Sequence, residues 1–153
     1  MKAKDIMSGP ISILSPGHSI VHAAQIMIDN RISALPVIDD DANLVGMVTE
    51  GDLIRHLEIS PRPLSDLSAP GAWDDFIKAY SWRVGDVMTA PVITVEPETS
   101  IEEIAALLRT HGIKRVPVVK DGLVVGVVSR RDLLSVIARI KPPARTRWRW
   151  NCN

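Results

Sequence analysis

The sequence predicts an α/β fold in which two β-α-β-β-α repeats pack against each other about a pseudo-twofold axis, with a small helical linker between them. Three observations support this fold class: an internal repeat, β-rich runs that alternate with amphipathic helical runs, and hairpin turns at equivalent places in both copies. A unit this short rarely buries its apolar face alone. The copies are therefore expected to pack together as one body and to leave two equivalent clefts between them.

The internal repeat extends over most of the chain. Asp5-Ile6-Met7 returns as Asp86-Val87-Met88, and Pro36-Val37 returns as Pro117-Val118. One residue is then lost in a loop, and residues 46–53 match residues 126–133. The predicted organisation is a first repeat at 4–59, a linker at 60–83, a second repeat at 84–140 and a tail at 141–153.

Each repeat is predicted to open with a short strand and a helix. Residues 10–14 and 91–95 are β-rich runs, each followed by a proline two residues later. Ser19 and Ser100 have the character of helix N-caps, and Glu103 completes a capping box with Ser100. The apolar spacing after each serine predicts an amphipathic helix.

A hairpin and a last helix complete each repeat. The hairpin strands are predicted at 35–38 and 44–48, and again at 116–119 and 123–128, where Asp121-Gly122 is a strong turn signal. The last helix is predicted to begin near Thr49 in the first copy and near Ser129 in the second.

Composition argues against several classes of function. The formal net charge is zero, so no overall field draws the chain to nucleic acid or membrane. The single cysteine, Cys152, excludes a disulfide framework, and neither a signal peptide nor a membrane-spanning run is evident. The cytoplasm is the predicted location. The four histidines lack metal-ligand spacing and no catalytic motif is present, so we expect neither an enzyme, nor a metal site, nor a required cofactor.

The motif Thr/Ser-x-x-Asp occurs at the start of both last helices, as Thr49 with Asp52 and as Ser129 with Asp132. A carboxylate there would accept hydrogen bonds from both hydroxyls of a ribose, and free N–H groups at the helix start would hold a phosphate. The same spacing is also a capping box. For either copy alone the two interpretations stand level.

The sequence resembles a tandem pair of CBS domains, a regulatory module in which two copies form a disc with two nucleotide clefts. The resemblance rests on the Asp-Ile/Val-Met opening, the Pro-Val pair, and the Gly-x-Val-Thr/Ser-x-x-Asp-Leu close, each present twice in register. It implies a stand-alone, non-catalytic sensor of AMP, ADP, ATP or S-adenosylmethionine that signals to a partner. It also favours ribose binding over simple capping at both motifs.

The resemblance further implies phosphate and adenine contacts, mainly in the second copy. Basic residues before the second Pro-Val pair, and Thr94 on the first strand, are similar to the family's phosphate and adenine-edge residues. The first copy has Ile13 in place of Thr94 and lacks the basic pair, so one tight site and one weak or empty site are expected. The predicted nucleotide-binding residues are Thr94, Ile113, Lys114, Arg115, Pro117, Ser129, Arg131 and Asp132, with Thr49 and Asp52.

Two segments lie outside the repeats. Trp73, Phe76 and Tyr80 in the linker fall on one face of a predicted helix, which is expected to pack over the joint between the halves, with a lid or dimer contact as the alternative. The tail at 141–153 alternates Arg with Trp and is expected to be a mobile terminus.

Three hypotheses on function follow. The leading one is the nucleotide sensor, which is expected to form a homodimer and to act on an unknown regulated protein. The second is a non-catalytic dimerisation scaffold with vestigial clefts. In the third, only the basic tail recruits a membrane or nucleic acid.

Overall fold

The protein is described by a computed structural model that covers residues 1–9, 12–59, 68, 70–72 and 82–140. The predicted aromatic linker helix and the Arg/Trp tail lie outside these residues. Among the described helices, none has the length and apolarity to cross a bilayer.

The two halves contain the same elements in the same order. The first half has α1 (Ala3–Ile6), α2 (Ile20–Asn30), β1 (Ala34–Ile38), β2 (Leu44–Thr49) and α3 (Glu50–Ile59). The second half has α4 (Val84–Val87), α5 (Ile101–Thr110), β3 (Arg115–Lys120), β4 (Leu123–Ser129) and α6 (Arg130–Arg139). The predicted fold class, a duplicated α/β unit, is confirmed.

The predicted helix starts are confirmed by their hydrogen bonds. The Ser19 hydroxyl accepts from the His22 N–H at 3.1 Å, and the Ser100 hydroxyl accepts from the Glu103 N–H at 3.3 Å. The Glu103 carboxylate in turn accepts from the Ser100 N–H at 3.2 Å, which completes the capping box in the second half. These contacts fix where α2 and α5 begin.

Each half has a two-stranded antiparallel hairpin, β1–β2 or β3–β4, with an irregularity after Val37 or Val118. Within the described residues 12–14 and 91–95, each predicted first strand makes only one parallel bridge, at Leu14 or Val95. Pro117 explains why: its carbonyl accepts from the Val95 N–H, but it has no N–H to extend the ladder. Pro36 has the same position beside Leu14.

The halves exchange their N-terminal segments. Ala3 is completely buried in the apolar core of the second half, where its N–H donates to the Thr99 carbonyl at 2.8 Å. Val84 is completely buried in the core of the first half, and its N–H donates to the His18 carbonyl at 2.7 Å. Each core is therefore completed by a segment that precedes the other half.

Candidate functional site

Two clefts lie between the halves, at the starts of α3 and α6. We call them the Thr49 cleft, with a volume of about 330 Å³, and the Ser129 cleft, with a volume of about 570 Å³. Each takes a helix start from one half and a strand entrance from the other. This crossed arrangement follows from the pseudo-twofold packing.

The crossed arrangement divides the predicted site residues between the clefts. Ile113 and Pro117 line the Thr49 cleft, whereas Ser129, Arg131 and Asp132 line the Ser129 cleft. The first-half counterparts of Ile113 and Pro117, which are Ile32 and Pro36, line the Ser129 cleft instead. The predicted residues therefore form two sites and not one.

Asp52 acts as a helix cap and does not line the Thr49 cleft. Its Oδ2 accepts from the Thr49 N–H at 2.9 Å, and its N–H donates to Thr49 Oγ1 at 3.2 Å. The Thr89 hydroxyl donates to its Oδ1 at 3.4 Å, and the residue is only 7% exposed. The Asp52 carboxylate is therefore buried and used internally, and the predicted ribose contact at this residue stays a prediction.

Asp132 makes the same capping box and still lines its cleft. Its Oδ2 accepts from the Ser129 N–H and the Ser129 hydroxyl, both at 2.7 Å, and its N–H donates to Ser129 Oγ at 3.3 Å. The residue is half-buried, and within the described residues its Oδ1 accepts no hydrogen bond. The cap thus uses one oxygen of Asp132 and leaves the other without a hydrogen bond from the described residues.

Lys114 and Arg115 line both clefts, because they lie close to the pseudo-twofold axis. The Lys114 carbonyl accepts from the Arg130 N–H at 2.9 Å, which ties this pair to the start of α6. Burial lowers the pKa of the Arg115 guanidinium, while the negative charges of Glu50 and Asp132 oppose that shift. Arg115 therefore lies between one acidic residue of each cleft.

One predicted site residue lies outside the two clefts, and one residue that was not predicted lines the Ser129 cleft. Thr94 is exposed and lies with Val119 and Gly122 in shallow outer depressions, whereas its neighbour Ile93 lines the Thr49 cleft. Adjacent residues of an extended chain point to opposite sides, so an error of one position moves the side chain out of the cleft. Arg31 was not predicted as a site residue, but it lines the Ser129 cleft from the end of α2.

The clefts offer no metal centre among the described residues, where no three His, Cys, Asp or Glu side chains lie together as ligands. What the Ser129 cleft offers is a free carboxylate oxygen, an aliphatic wall from Ile32 to Pro36, and several basic side chains. Such an arrangement suits a ligand with neighbouring hydroxyls, an apolar ring and an anionic group.

Comparison with known proteins gives the family. A profile of the CBS domain matches residues 3–59 and 84–139. An uncharacterized protein of Methanocaldococcus jannaschii, MJ1426, is 33% identical over 90% of this chain and 91% of its own length. The chloroplastic CBS domain-containing protein CBSX2 of Arabidopsis thaliana is 31% identical over 86% of this chain, which spans 60% of that relative.

Two similar solved structures contain ligands. The structure of CBSX2 in complex with AMP has a TM-score of 0.72 and 28% identity, covering 92% of this chain and 98% of that one. The CBS domain pair of protein MJ0100, in complex with 5'-methylthioadenosine and S-adenosyl-L-methionine, has a TM-score of 0.71 and 28% identity, covering 90% and 99%. Both are CBS pairs that hold adenosine compounds.

Proposed function

Because the chain belongs to the CBS domain family, we propose that it is a non-catalytic regulatory module that binds an adenosine nucleotide in the Ser129 cleft and signals to a partner. The observation that carries the proposal is the Asp132 carboxylate, whose Oδ1 accepts no hydrogen bond from the described residues and lies beside basic side chains. The adenosine ligands of CBSX2 and MJ0100 support the choice of ligand class.

The chemistry of the cleft assigns a part of the nucleotide to each group. Asp132 Oδ1 accepts hydrogen bonds from the ribose hydroxyls. Because the carboxylate is charged, these hydrogen bonds are stronger than those to a neutral acceptor. The phosphate lies at the start of α6, where the side chains of Arg130 and Arg131 and the backbone N–H of Arg131 meet it. Ile32 and Pro36 form the apolar wall for adenine. The nucleotide is a regulatory ligand and not a required cofactor.

Binding in the cleft acts on both halves at once. The ribose and phosphate contacts come from α6 in the second half, while the apolar wall comes from the first half. A ligand that contacts both stabilises one relative arrangement of the halves, and a regulated protein reads that arrangement. The regulated protein and the cytoplasmic location stay predictions.

The exposed faces of the last helices support a homodimer. Ile54 and Leu57 on α3 are 55% and 45% exposed, and their counterparts Leu134 and Ile137 on α6 are 63% and 62% exposed. The two halves thus present equivalent apolar faces, which suits self-association about a twofold axis. The same faces favour the second candidate function, a dimerisation scaffold that uses neither cleft.

A thermal melt with a ligand panel separates the two candidates. AMP, ADP, ATP and S-adenosylmethionine are each added at high excess to the full chain and to Asp132→Ala. A ligand at about a hundred times its dissociation constant adds about 2.7 kcal/mol, which raises the melting temperature by about 5 to 10 °C at this size. A shift that disappears in Asp132→Ala supports the sensor. No shift with any ligand refutes it and leaves the scaffold.

A further inference from the structure

The Ser129 cleft has an unusual concentration of positive charge. Among the described residues, five basic side chains line it with a single carboxylate, that of Asp132; they are Arg31, Lys114, Arg115, Arg130 and Arg131. Within the described residues, the ion pairs closer than 4 Å are those of Lys2 and Lys4 with Glu98, so none of the five has a carboxylate partner at that distance.

Like charges gathered in a partly desolvated cleft repel one another, and a protein usually interleaves carboxylates to offset this repulsion. In the Thr49 cleft the excess of positive charge is smaller, because the described charged residues that line it are Lys114, Arg115 and Glu50. The unbalanced charge of the Ser129 cleft is offset best by a ligand that brings several negative charges into it.

Arg31 has a backbone conformation that favours glycine. It ends α2 with φ 53° and ψ 42°, in the left-handed region, and its counterpart in the second half is Gly112 with φ 62°. Non-glycine residues adopt this region rarely, and such outliers concentrate at functional sites. Here the strained position places a fifth cation at the cleft, opposite the helix start that carries Arg130 and Arg131.

We infer that the Ser129 cleft selects a nucleoside di- or triphosphate over AMP and rejects S-adenosylmethionine, and that Arg31 is the residue that sets this preference. The inference rests on the proposed function and narrows its ligand class. Each added phosphate supplies a further negative charge to the basic cluster, whereas the sulfonium and ammonium groups of S-adenosylmethionine add positive charge to it. Arg31 contributes nothing to ribose recognition, which belongs to Asp132.

The test is calorimetric titration of the full chain with ATP, ADP, AMP and S-adenosylmethionine, without divalent cations. The wild-type chain is expected to bind ATP at least about tenfold more tightly than AMP, with ADP between them and no binding of S-adenosylmethionine in this cleft. Arg31→Gly is expected to weaken ATP about tenfold and AMP by less than about threefold, because one charge-assisted contact is lost. The dependence of ATP affinity on salt also becomes shallower in Arg31→Gly.

A matched control removes a charge elsewhere. Arg109 is exposed on α5 and lines neither cleft, so Arg109→Ala changes net charge by the same amount and is expected to leave all affinities unchanged. Arg31→Gly keeps the fold, because glycine suits this backbone conformation, and its melting temperature without ligand verifies that.

The outcomes distinguish the inference from the proposed function. If AMP binds as tightly as ATP, or if Arg31→Gly weakens both equally, the selection of polyphosphates is wrong while the adenosine sensor stands. If S-adenosylmethionine is the only ligand that binds, and Asp132→Ala abolishes its binding, the selection of polyphosphates is also wrong while the adenosine sensor stands. If no adenosine compound binds, the proposed function fails and the inference fails with it.

Discussion

The two clefts have the same backbone design and different chemical content. Both start a helix with a capping box, at Thr49 and Asp52 or at Ser129 and Asp132. In the first, the carboxylate is 7% exposed and its second oxygen accepts from Thr89. In the second, the carboxylate lines the cleft, and its second oxygen accepts no hydrogen bond from the part of the chain that the structure describes. The comparison teaches that a capping box identifies a helix start, and that burial and the use of the second carboxylate oxygen can still differ between two such boxes.

Charge separates the clefts further. Glu50 precedes Asp52 where Arg130 and Arg131 precede Asp132, and Ser33 and Ala34 stand where the second half has Lys114 and Arg115. Since Lys114 and Arg115 lie near the axis, the basic pair of one half serves both clefts. Duplication has therefore kept the scaffold symmetric while the side chains have become specialised.

The largest expected effect is that of removing the two aspartates in turn. Asp132→Ala is expected to weaken nucleotide binding at least about a hundredfold, because the charged acceptor for the ribose hydroxyls is lost. Asp52→Ala is expected to leave binding in the Ser129 cleft unchanged and to lower the free energy of unfolding by about 1 to 2 kcal/mol through loss of its cap. Calorimetry and urea unfolding measure the two effects. Equal losses of nucleotide affinity in both variants would contradict the assignment of ligand binding to Asp132 and of capping alone to Asp52.

A second comparison concerns the strand glycines that face the exchanged segments. A Cβ on Gly126 would lie 2.9 Å from the Ser8 carbonyl oxygen, a backbone atom, as well as against Met7. The atoms nearest to a Cβ on Gly46 belong to the Met88 side chain, whose outer atoms are flexible and adjust. Gly126→Ala is expected to cost about 2 to 3 kcal/mol and Gly46→Ala about 1 kcal/mol or less, as measured by urea unfolding. The reverse order would show that residues 1–8 adapt more readily than residues 82–89.

A smaller effect is expected from making the Thr49 cleft resemble its counterpart. Glu50→Arg removes the only carboxylate among the described residues that line this cleft and copies Arg130. In an Asp132→Ala background, where the principal site is disabled, this change is expected to raise the residual affinity for ATP about tenfold, or about 1.4 kcal/mol. Glu50→Gln is the matched control and should give a smaller gain. An unchanged affinity would mean that charge does not distinguish the clefts.

The smallest effect concerns the contact that holds residues 1–8 on the second half. Hydrogen bonds from Lys2 and Lys4 lower the pKa of Glu98 to about 2, from an ordinary value of 4.5. Since the folded pKa is depressed, the stabilisation from Glu98 is present above pH 4.5 and is lost as the pH falls toward 2. The counterpart of Glu98 in the first half is Gly17, whose carbonyl accepts from the Arg83 guanidinium and does not titrate.

Glu98→Gln tests this contact. The variant is expected to be slightly less stable than the wild type at pH 7, and the difference is expected to vanish as the pH falls through this range. The effect stays small because the pair is solvent-exposed. Urea midpoints from pH 7 to pH 2 measure it, and a difference that persists at the lowest pH would contradict the assignment to Glu98.

Local rules predicted most of the fold. The caps at Ser19 and Ser100, the hairpins, and the helix starts after Thr49 and Ser129 depend on neighbouring residues and are confirmed. The first strands were predicted longer than the single bridges that the described residues form. Pro36 and Pro117, which limit these strands, lie beside them in space but are distant in sequence. The sequence also predicted two clefts between the halves, and the structure has them.

The composition of each cleft could not be predicted in the same way. The burial of Asp52 involves Thr89, which belongs to the opposite half. The role of Arg31 requires both its left-handed backbone and the crossed packing that brings it to α6. The alignment with Gly112 was the available signal, since an arginine in place of a helix-ending glycine is unusual.

The exchange of N-terminal segments has a consequence for how the protein is made. The core of the first half includes Val84, so a ribosome that has delivered residues 1–59 has produced a half with a gap in its interior. That gap is filled only when the opening turn of the second half emerges. The first half can therefore complete its core only after Val84 has been synthesised. Ala3, which completes the core of the second half, is synthesised before that half.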